Sequence, residues 1–90
     1  MGDMTNMDLQ ALRSFESALE SFKMNIESHC MTMESGISEC SKFMLDANSQ
    51  KALKNGQQIC QDIRTCLKPT ENVLGIVRSY INILNSMPGM

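Results

Sequence analysis

Apolar residues recur at alternating intervals of three and four along nearly the whole 90-residue chain, a spacing that long amphipathic helices satisfy and strands do not. In the first half the seam runs Leu12, Phe15, Leu19, Phe22, Ile26, Cys30, Met33, Ile37, Cys40 and Met44, with one stutter at Cys30. Glu16, Glu20, Lys23, Glu27, Glu34 and Glu39 fall off that seam. In the second half it runs Leu53, Gly56, Cys60, Ile63, Leu67, Thr70, Leu74, Val77, Ile81 and Leu84 without a slip. The reading is an all-α fold: one helical-hairpin domain over 1–90, with a first arm of about residues 6–44, a turn at 45–48 and a second arm of about 49–86. Each arm of roughly 40 residues would span about 60 Å.

Local signals punctuate this pattern. Thr5 followed by Asp8 is a capping pair for the first arm, and Asp46 or Asn48 can cap the second. Pro69 interrupts the second arm. It removes a helix hydrogen bond and crowds the preceding turn, so a kink or break near Lys68 is expected, with Pro69 in the first turn if the helix restarts. A short link makes the arms antiparallel, with residue i opposite roughly residue 93 − i. Gly36 then approaches Gly56 or Gln57, and Gly75 approaches Ala18, either as points of close backbone approach or as tolerated surface glycines. Residues 1–45 carry seven acids and three bases, residues 46–90 three acids and five bases, which favours pairing of the arms. The tail from Ser86 to Met90 is expected to fray.

A hairpin covers one side of each seam and encloses little core, so it needs a partner. A second apolar stripe shows where that partner would sit. Ile59, Cys66, Val73, Tyr80 and Met87 recur every seven residues beside the main seam, and Ile76 and Ile83 add a further row. Met24 and Met31 extend the first arm in the same way, and methionine suits adaptable interfaces. The expected interface is therefore Met24, Met31, Ile59, Val73, Ile76, Tyr80, Ile83 and Met87. The competing reading folds 69–87 back as a third helix and buries the stripe internally.

Other classes of function find little support. The net charge is −2 and aromatic residues are only 4% of the chain, so neither a basic stripe nor a base-stacking platform for nucleic acid is present. No apolar run approaches the length of a membrane span, and the first residues lack the basic-then-apolar order of a signal peptide. Asn6 breaks the myristoylation pattern. No Gly-rich phosphate loop or nucleophile motif occurs, and His29 points about 100° from its neighbour Cys30 on a helix. The expectation is no enzyme, no catalytic residues, no cofactor and no small-molecule substrate. Cys30, Cys40, Cys60 and Cys66 contain no Cys-x-x-Cys pair, which disfavours a metal site. Buried reduced thiols are the main reading of these cysteines. A single disulfide is the alternative, because the register puts Cys30 within a turn of Cys60 or Cys66.

The turn segment Leu45-Asp46-Ala47-Asn48-Ser49-Gln50-Lys51-Ala52-Leu53 resembles the turn of the small helical-hairpin proteins of type VII secretion, the Trp-X-Gly family. Leu45 occupies the Trp position and Ala47 the Gly position, with Ser49 and Leu53 at the small and bulky positions that follow. The likeness covers almost the whole chain. It implies homodimers or heterodimers that form four-helix bundles, made in the cytoplasm without a conventional signal peptide and exported by type VII secretion or escorting a larger partner. That family's export signal pairs a Tyr with an acid four residues later; here Tyr80 is followed by Leu84, which fits a partner that does not carry the signal itself. A cytoplasmic coiled-coil adaptor or oligomerisation subunit with no export role is the alternative function.

Overall fold

The computed structural model describes residues 6–86, and these contain helices and no strand: α1 (Asn6–Cys40), α2 (Ala47–Arg64) and α3 (Leu67–Ser86). Thr5 and Met87 lie outside the described residues. The chain packs as two compact units, one made of residues 1–23 with 68–90 and the other of residues 24–67. Helix α1 contributes to both units and runs antiparallel to its partner in each.

The first arm is shorter than its periodicity suggests. Beyond Cys40 the chain tightens into i→i−3 bonds, Lys42 N–H to the Glu39 carbonyl at 3.2 Å and Phe43 N–H to the Cys40 carbonyl at 3.1 Å. The Ser41 hydroxyl caps the Ser38 carbonyl at 2.7 Å. No glycine is available here to close the helix in a left-handed turn, so side chains and narrowed turns take up its last carbonyls. The Gln50 amide donates to the Met44 carbonyl at 2.7 Å and ties the link to α2. Asp46 stands at the N-cap in extended conformation and its carboxylate accepts from the Ser49 hydroxyl rather than from a backbone amide.

The second arm is interrupted at Thr65–Cys66. The cause is Pro69, whose ring would collide with the carbonyl four residues back, that of Thr65, and which has no N–H to give it. Thr65 and Cys66 turn their own amides to the Asp62 and Ile63 carbonyls at 3.2 and 3.0 Å, and α3 begins at Leu67. Pro69 thus sits in the first turn of α3, where a missing donor costs nothing.

In the unit built from 24–67, Ile26, Cys30 and Cys60 form the buried cluster, with Leu67 packed against it. In the unit built from 1–23 and 68–90, Thr70, Leu74, Val77, Ile81 and Leu84 form the buried strip of α3. Antiparallel pairing there is explicit: Glu16 and Glu20 meet Arg78, and one heptad later on α1 Lys23 meets Glu71, one heptad earlier on α3. The α3 seam matches the sequence reading residue for residue. The α1 seam differs: Phe15 and Phe22 are each 47% exposed, and Glu16 and Lys23 are the half-buried residues in their place. Likewise Ile63 is 36% exposed, with Arg64 and Glu34 half-buried beside it.

Only one of the three helical glycines marks a close approach. A methyl group at Gly56 would come 3.1 Å from Ile37 Cδ1, whereas at Gly36 or Gly75 it would meet nothing within 4 Å. Replacement of Gly75 by Ala should therefore stabilise the chain by about 0.5–1 kcal/mol through helix propensity alone. Leu74→Ala, in the buried strip, should cost ~2–5 kcal/mol, and Ile63→Ala distinctly less. Denaturant melts of the three variants check the ranking.

Candidate interaction surface

The buried strip divides each helix into two flanks. At 3.6 residues per turn, a residue just before a seam position lies about 100° to one side of it and a residue just after lies about 100° to the other. In an antiparallel pair, the residues that precede the seam on both helices share one flank. On α3, Val73, Ile76, Tyr80 and Ile83 precede the buried Leu74, Val77, Ile81 and Leu84. On α1, Phe15 and Phe22 precede Glu16 and Lys23. In the unit of 1–23 and 68–90 these six side chains therefore line one flank, between 38% and 60% exposed. Apart from Asp8 in the first turn, no residue preceding a seam position in this unit is charged.

The opposite flank holds the ions. Arg78 follows Val77 and Glu71 follows Thr70, so both face the side where α1 presents Glu20. Arg78 Nε donates to Glu16 Oε2 at 2.9 Å, a second nitrogen of Arg78 bonds Glu20, and Lys23 Nζ lies 3.1 Å from Glu71 Oε2. The carboxylates raise the pKa of Arg78, chiefly through the hydrogen bond it donates to Glu16. Glu16 and Lys23 occupy seam positions by laying their methylene stems along the contact and turning their charged ends to the polar side.

The unit of 24–67 follows this design in part, because the charged Glu39 precedes the seam residue Cys40. Ile59 and Ile63 precede Cys60 and Arg64, and Met33 precedes Glu34, so these partly exposed side chains share a flank. Across the seam Arg64 grips Glu34 with two nitrogens, one of them 2.8 Å from Glu34 Oε1. Met24 and Met31 follow seam residues rather than preceding them. They line a shallow depression on α1 with Glu27, Ser28 and Thr32, and are not grouped with Ile59. Leu45 is 71% exposed in the link and Ala47 is the exposed first residue of α2. The second stripe is thus largely on the surface, and α3 packs through the main seam instead of folding the stripe inward.

Sequence reading missed Phe15 and Phe22, because hydrophobicity alone prefers Phe to Glu or Lys at a seam. The signal that separates them is the one-residue offset shared with Val73 and Tyr80 on the other arm, together with acids and bases that pair across the arms.

Among the described residues no cluster of three or more His, Cys, Asp or Glu is arranged to hold a metal, and no helix is long and apolar enough to cross a membrane. No family model, curated protein or solved structure matches the chain.

The Glu34–Arg64 pair sets a pH signature. Hydrogen bonds from Arg64 hold the Glu34 carboxyl below its ordinary 4.5. A carboxyl held low in the folded state stabilises above its unfolded value, and that contribution is lost as pH falls through the folded one. Melting of the Glu34→Gln variant should therefore lie below wild type at about pH 6, and the gap should narrow once the pH drops below the ordinary glutamate range. A gap independent of pH would assign the effect to packing.

Proposed function

We propose that this chain is a non-enzymatic interaction module that binds another helical protein through the uncharged flank of Phe15, Phe22, Val73, Ile76, Tyr80 and Ile83. The segregation of charge carries the reading. A surface that needed only solubility would carry its acids and bases on both flanks, and here they gather on one. Six large apolar side chains, each roughly half exposed, present on the order of 600 Å² of apolar surface, the upper end of what a single chain ordinarily leaves bare. A standard interface uses about 800 Å² per partner. Helices that dock on this flank would complete a four-helix bundle.

Within that function the chain fits a small partner or escort protein of type VII secretion, as its turn segment from Leu45 to Leu53 suggests. Leu84, where that family's signal carries an acid, is 3% exposed and belongs to the buried strip. An acid there would leave a charge in an apolar seam, which favours the role of the partner without the signal over that of an independently exported protein. The cytoplasmic adaptor is the reading that remains if export plays no part.

Ile76→Glu and Ile83→Glu test the docking flank. Each should lower the assembled mass seen by light scattering, or abolish capture of a co-expressed helical partner, while circular dichroism stays helical. Unchanged mass and unchanged capture would place the interface elsewhere. Appearance of the tagged chain in culture medium only when a type VII apparatus is intact would separate the secretion role from the adaptor.

A further inference from the structure

Cys30 on α1 and Cys60 on α2 face each other in the buried cluster of the 24–67 unit, exposed to only 1% and 0%. Their contact is reciprocal. The Cys30 sulfur lies 3.7 Å from the Cys60 carbonyl oxygen, and the Cys60 sulfur 4.0 Å from that of Cys30. Two sulfurs that each reach the other residue's main chain need the helix backbones at close quarters, which is also what a disulfide demands. Neither of the other two cysteines shares this arrangement: Cys40 is half-buried and Cys66 is exposed, and no disulfide joins any of the four.

We propose that Cys30 and Cys60 are a redox-responsive pair that closes into a disulfide pinning α1 to α2 when the chain meets a small-molecule disulfide such as oxidised glutathione. The exchange balances without any other reactant. One cysteine thiolate attacks a sulfur of the oxidised glutathione and releases one reduced glutathione, leaving a mixed disulfide. The second cysteine then loses its proton, attacks the first, and releases the second glutathione. Two protein thiols are oxidised and one glutathione disulfide is reduced to two thiols.

Burial sets the kinetics. Desolvation is the main cause that pushes the Cys60 thiol up, and the oxidant reaches the pair only when α2 opens locally from α1. The pair therefore stays reduced through brief exposure and closes on prolonged residence in an oxidising compartment. The cross-link joins residues 30 apart and restrains the unfolded chain accordingly. This inference stands on the cysteine geometry alone and does not depend on the docking flank.

The test uses the full chain with Cys40→Ser and Cys66→Ser, held for hours in excess oxidised glutathione and then mapped by non-reducing peptide mass spectrometry. The expected result is a monomer lighter by about 2 Da, with the Cys30 and Cys60 peptides joined. Its melting midpoint should be higher by on the order of 10 °C, and dithiothreitol should reverse the rise. Adding Cys30→Ser to that background should give at most a glutathione adduct. Thiols that remain reduced, stop at the mixed disulfide or link separate chains would overturn the proposal, as would a cross-linked chain whose melting midpoint is unchanged or lower.

Discussion

Two antiparallel helices share only a narrow strip of each other's surface, and the protein depends on what it places in that strip. Every buried side chain of α3 lies on one line from Thr70 to Leu84. Facing it, α1 supplies leucines interleaved with Glu16 and Lys23, whose stems fill the contact and whose charges close its edge. An exposed ion pair adds little to stability. Here the pairs act through geometry. Arg78 reaching two carboxylates and Arg64 gripping one with two nitrogens fix which turn of one helix lies against which turn of the other. The apolar strip holds the helices together, and the ions specify how they align.

That division explains which parts of the structure were legible beforehand. The α3 seam was fully readable, because no charged residue competes for its positions and the three-four spacing runs without a slip. The approximate register was readable too, since a short link dictates antiparallel pairing: Gly56 meets Ile37, as the spacing requires. The α1 seam was misread at Phe15, Phe22 and Met33. Hydropathy ranks Phe above Lys at any single site, whereas the pair of helices chooses the offset that lets long charged side chains meet opposite charges on the partner. Cross-helix pairing is not a property of one arm, so a pattern read along one arm does not reveal it. Ile63 was displaced by Arg64 for the same reason. Met24 and Met31 are exposed, and their phase puts them on the opposite side from Ile59, with which the sequence reading had grouped them.

Pro69 shows a local rule that operates at a distance of four residues. The expected break lay at Lys68, next to the proline, but the chain gives way at Thr65 and Cys66, at the carbonyl that the ring would strike. By the time the helix reaches Pro69 it has restarted, and the missing donor falls where first-turn amides have no intrahelical partner. On each side of the interruption the seam spacing is kept, Cys60 to Arg64 before it and Thr70 to Leu84 after it. A break that costs few hydrogen bonds is one the fold can carry without compensation elsewhere.

The thin core also bears on the bare flank. A helix pair buries one strip per helix and leaves much of the rest in water, so the half-exposed apolar side chains outside that strip add less to the stability of the isolated chain than those within it. They are exposed next to those buried residues. A partner that covers Val73, Ile76, Tyr80 and Ile83 must contact the same turns of α3 that bury Leu74, Val77, Ile81 and Leu84. It would bind the folded helix pair and not the unfolded chain, and so would stabilise the fold by mass action. Under the proposed function, recognition and folding would be carried by adjacent residues of one helix, one set turned inward and the next turned out.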